Sequence, residues 1–129
     1  MDSPYFFKWM AYQKSELLSQ SIFNLTLQFP SEEKFSLTDQ IRRSSRSVSA
    51  NLAESYAKRR YEKHFVSKLT DAHGENYETM TWLRNARRCR YINDEEFTSH
   101  FNKATEIEKL IGYMLSHQDR FRGSFGKKV

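Results

Sequence analysis

Residues Ser36–Arg60 read SLTDQIRRSSRSVSANLAESYAKRR. Leu37, Ile41, Val48, Leu52 and Tyr56 fall on one face when the stretch is wound at 100° per residue, the mark of an amphipathic helix. Ser36 with Asp39 three residues on forms a weak version of the capping box, so the helix is expected to start there. Ser44, Ser45, Asn51 and Ser55 lie in or beside that stripe, while Ala50, Ala53 and Ala57 line a different side. Two low-profile faces on one helix suit a central element, or one packed against another subunit, because small residues allow close helix approach. Arg42, Arg43 and Arg46 sit on the flank away from the apolar stripe.

The same periodicity extends outward. Apolar residues crowd more than one side of the segment from about Pro4 to Phe29, with Ser3 as its expected cap and Pro4 in the first turn. Pro30 ends it. A third stripe runs through Tyr61, Phe65, Leu69, Ala72, Met80, Leu83 and Ala86, within a helix expected over 61–91. No Gly or Pro marks the turn before it, near AKRRYEK. A fourth helix, expected over 94–119 with Phe97, Phe101, Ala104, Ile107 or Leu110–Ile111, and Met114 on its core stripe, is capped by Asn93 or Asp94 and carries acids in its first turn, where the helix dipole favours them. The residues 120–129 read as a frayed basic tail. Four long amphipathic segments, few breakers (four Gly and two Pro) and no strand candidate predict one all-α domain, an antiparallel up-down-up-down four-helix bundle.

Composition narrows the function classes. The chain has 129 residues and one cysteine, Cys89, which excludes an internal disulfide and a cysteine-built zinc site. No signal peptide or membrane-length apolar run is visible, so a reducing cytoplasm is the expected setting. A di-iron bundle needs inward Glu residues with Glu-x-x-His steps; no Glu stands three before a His here, and Glu96–His100 is a single four-residue spacing. His64, His73, His100 and His117 are expected on the surface or rim, and no metal or other cofactor is expected. Cys89 lies among arginines, but no base is paired with it, and there is no glycine-rich phosphate loop. The expected class is a non-enzyme.

The remaining signal is charge. The net charge is +5, and residues 37–92 alone carry +6 while residues 93–119 carry −4. Besides Arg42, Arg43 and Arg46, one cluster comprises Lys58, Arg59, Arg60 and Lys63, and another Arg84, Arg87 and Arg88 followed by Arg90. Tyr61 and Tyr91 flank the two. Arginine forks beside aromatic faces suit phosphates and unstacked bases, so these residues are candidates for contact with RNA or DNA. The alternative is a protein-interaction scaffold, in which the arginines meet the acidic fourth helix of a neighbouring subunit or partner. Asn51 is expected to need a hydrogen-bond partner, with Asn76 as candidate, and Glu54 and Glu78 are expected to pair with arginines of a neighbouring helix or subunit.

The motifs FPSEE, QIRRS and NLAE, in that order and spacing, with HGENYETMTWL and RRCRYINDEEF beyond them, resemble the family of 23S rRNA intervening-sequence proteins over roughly residues 15–118. The resemblance implies a four-helix bundle assembled as a ring-like homopentamer, with no catalytic residues. The accessory variability proteins of diversity-generating retroelements are similar; they imply nucleic acid and a reverse transcriptase as partners. By position, QIRR nominates Gln40, Arg42 and Arg43, and NLAE nominates Asn51 and Glu54. The family often has Pro where Ser49 stands and Gly where Ser55 stands, so a straighter second helix is expected here.

Overall fold

The computed structural model describes residues 5–126, and the expected roles of Ser3, Pro4 and the last three residues fall outside that range. Four helices, α1 (Met10–Thr26), α2 (Leu37–Ala57), α3 (Glu62–Arg88) and α4 (Asp94–Ser116), run in sequential antiparallel contact, and α1 closes against α4. The α2–α3 contact is the broadest and α1–α4 the thinnest. The core is mostly aliphatic, with Ile22, Ile41, Leu52, Leu69, Leu83 and Ile111 each at 0 % exposure beside the equally buried Phe65. No helix among the described residues is long and apolar enough to cross a membrane.

The stripes are as expected, with local exchanges. On α2 the small polar residues Ser44, Ser45 and Ser55 are buried, and Ser44 faces α3. Ser44 and Thr79 join their hydroxyls across the α2–α3 interface at 2.8 Å, so the polar atoms are satisfied within the packed layer. Thr79 is therefore inward on α3, whereas Met80 is only half-buried and Tyr61 is exposed. α2 is continuous through Ser49 and Ser55; each hydroxyl donates to a carbonyl three residues back.

Helix ends differ most from the sequence reading. α1 begins at Met10 rather than near Pro4, because Tyr5–Lys8 form a separate 3-10 turn. The cause is aromatic packing: Phe6 lies against Tyr12 at 5.1 Å and Tyr56 at 5.3 Å, and the Gln13 side chain donates to the Phe7 carbonyl. α2 is not capped by Ser36 and Asp39. Glu33 does the capping, accepting from the Leu37 N–H at 3.3 Å and the Ser36 hydroxyl at 2.8 Å. Asn93 caps α4 in a full capping box with Glu96.

α3 stops in a Schellman turn. The Tyr91 N–H donates to the Ala86 carbonyl, the Arg90 N–H donates to the Arg87 carbonyl, and Arg90 takes φ +60°, the left-handed conformation that favours glycine. Arg90 is exposed.

The segment after α4 is docked rather than frayed. Arg122 is 7 % exposed and donates to the carbonyls of Arg59 at 2.9 Å and Arg60 at 3.1 Å. Gly126 passes so close to the Asp119 carbonyl that an added Cβ would sit 2.1 Å from its oxygen. The guanidinium of Arg122 thus pins the α2–α3 turn, which no breaker residue marks.

Candidate nucleic-acid interface

The basic residues expected to share one role are divided among four environments. Arg42 is half-buried; its Nε donates to Thr26 Oγ1 at 2.8 Å, and its guanidinium lies 4.5 Å over the Phe23 ring. Arg46 flanks the same ring at 5.6 Å and remains exposed. Both therefore serve the α1–α2 seam. Arg43 faces the other way and is gripped by two acids of α3, Glu75 at 2.9 Å and Glu78. Glu78 also accepts from Trp82 Nε1, and Gln40 sits within 3.4 Å of Arg43 Nε. A doubly paired guanidinium has its donors directed at carboxylates and is a poor phosphate ligand.

The polar residues of NLAE also find structural tasks. Asn51 donates to the Ser47 carbonyl of its own helix at 2.9 Å, and Asn76 donates instead to the Ala104 carbonyl of α4 at 2.9 Å. The expected Asn51–Asn76 pair does not form, because a carbonyl lies within reach of each amide. Glu54 pairs with Lys68 of α3 at 2.7 Å, so its partner is a neighbouring helix but not an arginine. Ala50 and Ala57 are exposed and Ala53 is half-buried.

His100 overturns the expectation that every histidine lies on the surface or rim. It is 9 % exposed; its Nδ1–H donates to the Glu96 carbonyl at 2.7 Å, which leaves Nε2 to accept from Ser21 at 2.8 Å. The Glu96–His100 spacing is thus a packing feature. Among the described residues, no three His, Cys, Asp or Glu side chains come together as a metal site.

Two cation clusters remain, one at each end of α3. At its start, Lys58, Arg60 and Lys63 are exposed, while Arg59 stacks on Tyr56 at 3.9 Å and lies 5.6 Å from the Phe125 ring. At its end, Arg84, Arg87 and Arg88 border a groove of about 490 Å³ whose other wall is Phe97 and Phe101 of α4. Those rings stack on each other, centroids 5.0 Å apart and 25° between planes. Arg87 bonds Asp94 through Nε at 2.9 Å and lies 4.7 Å over Phe97. Arg84 and Arg88 are exposed and form no ion pair among the described residues. A four-residue step places both on the same side of α3.

The loops around this groove are tied down. The Tyr91 hydroxyl donates to Glu33 at 2.8 Å, and Gln28 donates to the Tyr91 carbonyl at 2.8 Å. Hydrogen bonds from Ser36, then Tyr91 and the Leu37 N–H hold the Glu33 carboxyl below its ordinary range. The same bond to Glu33 pushes the Tyr91 phenol up to about 12. The sequence reading assigned Phe97 and Phe101 to the core stripe only. Their signal was an aromatic pair at i, i+4, just after an arginine run and a helix cap.

Fold and surface together define a basic, all-α four-helix bundle with a cluster of exposed cations at each end of one helix. A family model described as 23S rRNA-intervening sequence protein matches residues 8–113, and the chain belongs to that family. A crystal structure of a protein of unknown function from the S23 ribosomal protein family of Bacteroides thetaiotaomicron is similar at 34 % identity and a TM-score of 0.75, covering 82 % of this chain and 95 % of that one. No curated protein matches the chain.

Proposed function

We propose that this protein is a non-enzymatic, homo-oligomeric bundle that binds RNA or DNA through its basic surface with little base preference. The observation that carries the reading is the groove where Arg84, Arg87 and Arg88 face Phe97 and Phe101. Two of its three guanidinium groups form no ion pair among the described residues, and phosphates are suitable counter-ions for them. Phosphate contacts release condensed cations, so affinity falls linearly in log–log terms with salt. The test is a salt titration of binding to labelled RNA, single-stranded DNA and duplex DNA. Binding that weakens steeply with salt supports the reading; no binding at low salt overturns it.

Leu17 is 71 % exposed and Phe35 86 %, which makes them candidate contacts for self-association. A ring-like homopentamer has five times the 15.4 kDa mass of the chain in light scattering. Leu17→Lys with Phe35→Ser is expected to reduce that mass; an unchanged mass would remove these residues from the contact. A scaffold built on Arg42, Arg43 and Arg46 is less favoured, because Arg42 and Arg43 already have partners within the chain.

A further inference from the structure

The α3–α4 groove has two chemically distinct walls. One is cationic, from Arg84, Arg87 and Arg88; the other is a pair of stacked rings, Phe97 and Phe101. We propose that it is selective for single strands, holding an unstacked base against the Phe97–Phe101 wall while the flanking phosphates meet Arg84 and Arg88. This rests on the nucleic-acid reading above and adds the strand type.

Duplex bases present only their edges, because their faces are covered by neighbours in the stack. An aromatic wall recessed behind arginines therefore gains nothing from a duplex beyond phosphate attraction. A single strand can turn a base into the groove, and base–aromatic stacking is sequence-tolerant because every base has a π-face. The volume of about 490 Å³ holds a planar group of that size together with water.

Arg87 already shows what the wall accepts: a flat, delocalised group lying 4.7 Å over Phe97. A base stacking there takes the place of the Arg87 guanidinium. Arg87 is then released from the Asp94 carboxylate to a phosphate. Asp94 thus competes with the ligand, and Asp94→Asn is expected to raise single-strand affinity several-fold. The cluster at the other end of α3 has a looser stacked pair, Tyr5 and Tyr56 at 6.4 Å and 23°, and Arg59 already covers Tyr56 at 3.9 Å. Its other ring, Tyr61, lies beside Arg60 and meets His64 edge-on.

The experiment compares a fluorescent ten-nucleotide single strand with a hairpin duplex at one salt concentration, in ribose and deoxyribose versions. A second single strand carries 2-aminopurine, whose emission is quenched when it stacks. The parent is expected to bind the single strand at least tenfold more tightly and to quench the probe. Phe97→Leu with Phe101→Leu is expected to lose about tenfold on the single strand, to keep duplex affinity and to abolish quenching. Phe97→Tyr with Phe101→Tyr preserves the aromatic faces and is expected to keep the preference, which separates stacking from damage to the bundle. Equal affinity for the two forms in both sugar series, or an undiminished preference in the leucine variant, overturns the inference and leaves the broader reading standing. No binding to either form overturns both.

Discussion

The two ends of α3 both carry a run of cations, and the structure treats them differently. At the first end, Arg59 is stacked between Tyr56 and Phe125, and the carbonyls of Arg59 and Arg60 hold buried Arg122. At the second, Arg84 and Arg88 are exposed beside an aromatic wall and form no ion pair among the described residues. The separation is about 36 Å from Lys63 to Arg87, at a rise of 1.5 Å per residue. At the first end the Arg59 side chain and the backbone of Arg59 and Arg60 engage the chain's last described segment, while Lys58, Arg60 and Lys63 stay exposed. At the second end the exposed cations border the groove. Charge in a sequence marks neither role; what decides is whether a backbone carbonyl, a carboxylate or nothing lies opposite the guanidinium.

The largest expected effect breaks the comparison directly. Changing Arg84, Arg87 and Arg88 to Ala should weaken single-strand binding on the order of 100-fold at low salt, since three phosphate contacts contribute steeply there. Changing Lys58, Arg60 and Lys63 to Ala should cost about threefold or less. Fluorescence anisotropy checks both, and similar losses would erase the distinction.

Next is Arg122→Ala, expected to destabilise the fold by about 2–3 kcal/mol in urea denaturation while leaving binding unchanged. It removes a buried, charged donor from two carbonyls that no other side chain satisfies. A change below about 0.5 kcal/mol, the range of ordinary surface substitutions, would show that the turn stands without its pin.

The loop lock beside the groove sets a pH signature at both extremes. The carboxyl of Glu33 is held below its ordinary 4.5, so its contribution is present above that pH and lost as pH falls through the folded value. Tyr91 is raised from 10.0 to about 12, so its contribution is complete below pH 10 and lost as pH rises through 12. Thermal melts at pH 3–5 should show a shallower acid decline for Glu33→Gln than for the parent. Melts at pH 9–12 should show a shallower alkaline decline for Tyr91→Phe. Unchanged slopes would mean that the hydrogen bond at 2.8 Å contributes little in solution.

The smallest effect is a gain. Arg90 holds φ +60° at the end of α3, where glycine carries no Cβ penalty. Arg90→Gly should stabilise the bundle by about 0.5–1 kcal/mol and leave groove binding within twofold. A loss of binding would place Arg90 among the phosphate contacts.

The bundle was legible because its stripes are long and strictly periodic. Leu37, Ile41, Val48 and Leu52 could only face a common core, and short connections leave few ways to arrange four such helices. The helix ends were less legible, because the groups that set them come from elsewhere. Glu33 caps α2 from a preceding turn, Phe6 and Tyr56 define where α1 starts, and Arg122 holds a turn more than 60 residues away in the chain. The site was legible in its charges and not in its sorting. Arg42, Arg43 and Arg46 are neighbours in sequence, yet one helical step of 100° sends Arg43 to the acids of α3 and the other two to Phe23. Phe97 and Phe101 were read as core because partial burial and groove lining share the same periodicity.

Photo-crosslinking tests the central claim most directly. A single strand carrying 5-iodouracil, which couples to stacked aromatic rings, is irradiated with the protein, and the adducts are mapped by tryptic mass spectrometry. If the groove is the binding surface, the adduct falls on Phe97 or Phe101, within the peptide from Tyr91 to Lys103. Adducts confined to Tyr56, Tyr61 or Phe125 would place the ligand at the opposite end of α3 and contradict the account.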